Sequence, residues 1–300
     1  MGILAPEFWI TVDQMRDEGL PETFDYFRFQ KGAANFPFIC IHPDPCFLNM
    51  ITLDEMEWPN DLEFTSTKTE TETKMPGIYK MFKSKAAPQR LLDEHGKVIN
   101  PSNKESFLYH LKMMKEQNLD MDMDEKCFRD LLSREHLENE SSFVYNENLA
   151  FSVLNKAASS KPDFPQKWNF NNIPGPLKSF CSGNDGLNEI IGVSSSMIFA
   201  GKRGTFSSWH VEDADCPSCN LLLPFSAGKA WIGILPDDEW ILDEYIRKTY
   251  RKNCITPTLH KDLLLDLDLL DELGIPWYYF IQRAGDIIIT NPAVRFMIFC

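Results

Sequence analysis

The apolar positions of this chain follow a helical period in several early segments and turn strand-like after residue 143. Thr11 and Gln14 have the spacing of a capping box, so a short helix starts at Thr11 and carries Val12 and Met15 inward. A second amphipathic segment runs from Tyr26 to a turn at Gly32, and residues 36–41 read as a strand with Pro37 at its start or on an edge. Residues 65–74 are polar and low in complexity, and read as a mobile linker in preference to an exposed edge strand. Residues 100–138 read as helical. Ser102 and Glu105 repeat the capping-box spacing, Phe107, Leu108, Leu111 and Met114 share a face, and a second helix follows Asp124 with Phe128, Leu131 and Leu132 inward. Later segments at 197–199, 209–212, 220–223, 230–234 and 287–290 are short, apolar or alternating, and bounded by Gly, Pro and Ser, as strands are. A helix after Asp237 carries Trp240, Ile241 and Tyr245, and a Leu-rich helix spans 261–273. The pattern predicts a β-barrel or sandwich with a helical insertion.

Composition narrows the class. With 300 residues, 43% of them hydrophobic and 25% charged, the chain is an ordinary globular sequence able to bury a sizeable core. A net charge of -14 argues against binding a phosphate backbone and is compatible with a Lys/Arg-rich partner, or with solubility alone. Eight cysteines are too few for a disulfide scaffold. Met1 to Trp9 lacks the basic start and apolar run of a secretory signal, Pro6 stands where myristoylation needs Ser or Thr, and no apolar run has the length of a membrane span. A reducing interior, cytosol or nucleus, follows.

The chemistry concentrates after Trp209. His210 and Glu212 are two positions apart, which on a strand points both to one face; an imidazole and a carboxylate are two members of a 2-His-1-carboxylate iron triad. A His-x-Glu is weak evidence by itself. Lys229 either meets an anion inside the barrel mouth or lies at the surface beside the 226–228 turn, and Trp231 shares its face. The acidic run 120–125 lacks an EF-hand frame and reads as a solvated turn, and Cys216 and Cys219 form a C-x-x-C without a second pair, read as local loop chemistry.

Several stretches carry a resemblance. Glu189-Ile190-Ile191-Gly192-Val193, Met197-Ile198-Phe199-Ala200-Gly201, Thr205-Phe206-Ser207-Ser208-Trp209-His210-Val211-Glu212-Asp213, Leu222-Leu223-Pro224-Phe225 and Gly228-Lys229-Ala230-Trp231 resemble the JmjC domain of histone lysine demethylases. Residues 274–292 are similar to that barrel's late strand. Phe8-Trp9-Ile10-Thr11, Met15-Arg16 and Gln30-Lys31-Gly32-Ala33 resemble a JmjN segment. The resemblance implies a mainly β fold with α additions, a double-stranded β-helix of the cupin-like jelly-roll kind. It implies a JmjN-like segment at 6–46, a linker and mixed helical region at 47–140, and a JmjC barrel at 141–300. By position it implies His210 and Glu212 as Fe(II) ligands, and Tyr145, Asn220, Lys229 and Trp231 around 2-oxoglutarate. Phe199 falls where the family often has a tyrosine lining the methyl-lysine pocket, and Cys254 and His260 match half of a structural zinc site.

The chain also departs from the family. The family's second histidine falls eleven residues after Gly285; that position is Phe296, and no histidine follows His260. The sequence reaches Cys300 before the closing strand and the zinc cysteines, and residues 294–300 do not resemble the family's ending. This implies a barrel incomplete at its C-terminus, with two iron ligands of three and two zinc ligands of four; a truncated sequence or a pseudo-enzyme would account for it. The implied activity is oxidative demethylation of a histone H3 lysine with Fe(II), O2 and 2-oxoglutarate, in the nucleus, with the H3 tail and chromatin proteins as partners. No sequence-specific nucleic-acid binding or membrane contact is expected. The alternative is an inactive chromatin-associated binding module, motivated by Phe296, with a protein hydroxylase as a third reading.

Overall fold

The computed structural model describes residues 2–51, 65–71, 77–85, 91–92, 98–99, 126, 129–130, 143–149, 153–173, 179, 190, 192–201, 205–224, 226–251 and 253–299. The strands of the first half are β1 (Ile3–Leu4), β2 (Glu7–Ile10), β3 (Phe38–Pro43), β4 (Thr65–Thr71), β5 (Ile78–Lys85), β6 (Leu91–Leu92), β7 (Val98–Ile99) and β8 (Phe143–Leu149). Those of the second are β9 (Ile198–Gly201), β10 (Phe206–His210), β11 (Cys219–Leu221), β12 (Lys229–Ile234), β13 (Leu263–Leu265), β14 (Tyr278–Gln282), β15 (Ile287–Thr290) and β16 (Arg295–Phe299). A first sheet has the order β1-β14-β12-β16-β10, a second β11-β15-β3-β2, and a third β13-β5-β4-β8-β9; β6 pairs with β7. Helices α1 (Val12–Asp17), α2 (Leu20–Asp25), α3 (Pro45–Leu48), α4 (Val153–Ser160), α5 (Glu239–Thr249) and α6 (Leu267–Glu272) complete the frame.

Side-chain alternation along the strands sorts the core into layers. Trp231, Phe280 and Phe296 from the first sheet pack with Phe38, Cys40 and Ile288 from the second. The alternate residues of the first sheet, Ala230, Ile232, Met297 and Phe299, pack with Leu242 and Ile246 of α5 and Leu267 and Leu270 of α6. The alternate residues of the second sheet, Ile39, Ile41, Ile287 and Ile289, pack with Met15, Leu20, Phe24 and Trp168. Both β3 and β15 are therefore buried on two faces, which is why their sequences run apolar without a polar alternation. Each such side chain contributes about 1.5–3 kcal/mol on leaving water.

The helix starts obey local rules. The Thr11 hydroxyl accepts from Gln14 N while the Gln14 side chain accepts from Thr11 N, the reciprocal box that the spacing predicts. Asp44 caps α3 by accepting from Cys46 N at 2.8 Å, and Asp266 caps α6 through Asp268 N at 2.9 Å. The N-terminal helices are tied to the body by Trp168, whose indole N–H donates to Glu18 O at 3.0 Å.

Several sequence expectations change. Residues 65–71 are a strand between β5 and β8, not a linker, because Thr-rich alternation suits a pleated backbone. The Leu-rich stretch splits: Leu263–Leu265 pairs with β5 as a strand, and the Asp266 cap starts a helix only at Leu267. The described parts of 47–140 are mostly strand, whereas the helices read at 100–138, and the acidic turn between them, lie almost wholly outside the described residues. Residues 295–299, unlike the family's ending in sequence, form an interior strand between β12 and β10. No closed barrel forms among the described residues. Among them, too, no helix is long and apolar enough to cross a membrane.

Candidate functional site

A β-bulge turns His210 to the face between the sheets. In the β10–β16 ladder, Phe206 is opposite Phe299 and Ser207 opposite Ile298, but His210 is opposite Phe296. Three residues of β10 therefore span two of β16. Without the extra residue Trp209 would face Phe296 and His210 would turn outward; with it, Trp209 is fully buried in the outer core and His210 joins Phe296 on the face between the sheets.

His210 is held in a defined tautomer. Its Nδ1 lies 2.6 Å from Ser208 O. A carbonyl only accepts, so Nδ1 carries the hydrogen and Nε2 keeps its lone pair. Burial holds the ring below the ordinary imidazole pKa, against the opposing influence of the Ser208 carbonyl and the Glu212 charge. A neutral imidazole with a free Nε2 is what a metal ligand requires. Glu212 lies beyond the strand, which ends at His210, and is partly exposed at the start of a 3-10 turn.

The third direction holds carbon. The Phe296 ring is 1% exposed, with its centroid 4.4 Å from the His210 ring and 5.4 Å from Trp231. Among the described residues, three or more His, Cys, Asp or Glu donors converge at one place only, and it is not here. Among the described residues no third donor joins His210 and Glu212, so these described side chains do not fit a 2-His-1-carboxylate iron centre.

The residues assigned to the co-substrate are partly gathered. Gln282, fully buried on β14, is their hub. Its Oε1 accepts from Trp231 Nε1 at 2.8 Å, and its Nε2 donates to Asn220 O and Asp286 O at 2.9 Å each. Lys229 is directly opposite Gln282 in register and half-buried, two positions before Trp231 on the same face. Asn220 Oδ1 is buried and lacks a partner among the described residues, an acceptor costly to leave unmet. Tyr145 and Phe199 lie instead on β8 and β9 of the third sheet, where Tyr145 is in register with Gly201 and Phe199 is 41% exposed. Sequence reasoning missed Gln282 and the bulge; a glutamine ending an aromatic strand was the available signal for the first.

Cys254 and His260 do meet, with Sγ 3.1 Å from Nε2. No third donor converges on them among the described residues, which leaves the pair short of the four that structural zinc takes. Cys216 and Cys219 are free thiols.

Parts of this chain are similar to known proteins. The JmjC domain family, described as "JmjC domain, hydroxylase", matches residues 197–300. Lysine-specific demethylase JMJ705 of Oryza sativa subsp. japonica is 28% identical over 134 residues, 42% of this chain and 10% of that protein. Lysine-specific demethylase 4D of Rattus norvegicus is 28% identical over 130 residues, 42% of the chain and 25% of the relative. Lysine-specific demethylase ELF6 of Arabidopsis thaliana is 30% identical over 134 residues, 42% of the chain and 10% of the relative. The matched segment spans a quarter or less of each relative's length. The bulged His-x-Glu strand and its partner β16 fall inside residues 197–300, the segment that is similar to the JmjC domain.

Proposed function

We propose that this chain is a lysine-demethylase-like JmjC protein that engages a methyl-lysine segment of the histone H3 tail without turning it over. One observation carries the reading: Phe296 fills the position facing His210 where the family pattern puts a third iron ligand. In the family's chemistry, Fe(II) with 2-oxoglutarate activates oxygen to remove the methyl group. With two protein donors, His210 and Glu212, the ion is held loosely. The resemblance gives Asn220, Lys229 and Trp231, with Tyr145, to the co-substrate and Phe199 to the methyl-lysine pocket. The net charge of -14 suits a Lys/Arg-rich tail. Residues 6–46 are read as a JmjN-like segment, and the protein is placed in the nucleus among chromatin proteins.

A second reading, an active demethylase, is favoured by the free Nε2 of His210 and the unmet acceptor on Asn220. The chain incubated with methylated H3 peptides, Fe(II), 2-oxoglutarate and oxygen separates the two. Peptide binding measured by anisotropy, with unchanged peptide mass and no formaldehyde, supports the binding module. Methyl loss with formaldehyde selects the demethylase, and a stable gain of one oxygen selects a hydroxylase. Absence of peptide binding rejects the proposal.

A further inference from the structure

Strand β3 and the turn before β15 bring three donors of different chemistry to one end of the second sheet. Cys40 and His42 alternate on β3, so both face the first sheet. Ile288 is opposite Cys40 in the β15–β3 register, and that register carried two positions on sets Asp286 against His42. Glu7 on β2 is the parallel register partner of Cys40. The thiol, imidazole and Asp286 carboxylate donors all lie within 4.8 Å of one another. Asp286 Oδ1 is 2.8 Å from His42 Nδ1, and Glu7 Oε2 is 3.0 Å from His42 Nε2.

The donors are held in place from behind. Asp286 Oδ2 accepts from Arg283 N at 2.8 Å, in a turn closed by Gly285 at φ 96°. Its Cβ would lie 2.5 Å from Leu48, so this backbone path excludes other residues. Trp9 stacks on the His42 ring at 4.9 Å. Cys40 is fully buried with its thiol free. Fixed second contacts of this kind are what orient metal ligands.

The charge balance also calls for a cation. Two carboxylates face the His42 ring, one at each nitrogen, so the cluster is anionic in character. A divalent ion beside Nδ1 would meet the Asp286 carboxylate and the Cys40 thiol there. One thiolate and one carboxylate neutralise it, the imidazole adds a neutral donor, and sulfur with nitrogen and oxygen is a zinc-type set.

We propose that Cys40, His42 and Asp286 form a zinc-type site, its fourth position left to solvent, that fastens β3 to the turn before β15. Binding sends the Cys40 thiol proton to solvent. The site is independent of the His210–Glu212 pair and of the function proposed above.

Cobalt(II) titrated into the metal-free full chain tests it, since a cobalt–thiolate bond gives a near-ultraviolet charge-transfer band. The band is expected at one cobalt per chain, lost in Cys40→Ser and kept in Cys254→Ser. His42→Gln, at a partly exposed position, serves if Cys40→Ser does not fold, and should weaken binding at least about tenfold. Loss of the band in Cys254→Ser with retention in Cys40→Ser would place the ion at the other thiol and overturn the proposal. No band in the wild-type chain, or tight cobalt binding unchanged in His42→Gln, overturns it equally.

Discussion

Phe296 stands directly across from His210 on the neighbouring antiparallel strand, with 4.4 Å between ring centroids. The contact depends on a one-residue bulge in β10, and it sets a phenyl ring against the His210 imidazole. Phe296 is also an inner-core residue, packed with Trp231.

Replacing Phe296 by histidine should therefore separate stability from chemistry. The variant loses packing in a buried position and should be destabilised by about 1–3 kcal/mol. Urea unfolding measures that cost. A variant as stable as the wild type would mean that the ring contributes little to the inner core.

Gln282 ties both sheets together through three hydrogen bonds from a fully buried side chain. Gln282→Ala leaves Trp231 Nε1, Asn220 O and Asp286 O without this partner and opens a small cavity. The expected loss is about 2–4 kcal/mol in chemical denaturation. A loss under about 1 kcal/mol would show that these groups find other partners.

Lys229 should matter to an anionic ligand rather than to folding. Lys229→Ala is expected to weaken 2-oxoglutarate binding by more than ~1 kcal/mol, about fivefold in Kd, by calorimetry. Unchanged affinity would move the lysine out of the co-substrate site.

The His42 contacts set a pH dependence. Its folded pKa is raised above the ordinary 6.5, chiefly by the Asp286 hydrogen bond. The stabilisation is fully present below pH about 6.5 and fades as pH rises through the higher folded value. His210 works the other way, because burial lowers its pKa and makes acid pH unfavourable to the fold. The difference between wild type and His42→Gln isolates the first effect. Measured with a chelator present, that gap should be wide near pH 6 and narrow in alkali; a gap independent of pH would contradict it.

Much of the frame was legible from residues. The 197–234 strands, the helix after Asp237 and the Thr11 box follow from period, Gly/Pro punctuation and cap chemistry acting locally. The Thr-rich strand and the split Leu run were not legible, because pairing with β5 decides both and neither run encodes its partner. At the site, the His-x-Glu spacing singled out His210 and Glu212, but the bulge that turns His210 inward is a property of two strands together. The Cys40–His42–Asp286 cluster needs the β3–β15 register, which no single stretch of sequence encodes.

We propose that the His210–Glu212 pair, joined by no third donor among the described residues, holds iron only weakly. The test is manganese(II), a redox-silent stand-in for Fe(II), titrated with 2-oxoglutarate into wild type, Phe296→His and His210→Ala. Weak binding is expected for the wild type, and binding at least about tenfold tighter for Phe296→His. Tight wild-type binding that disappears in His210→Ala would overturn this reading.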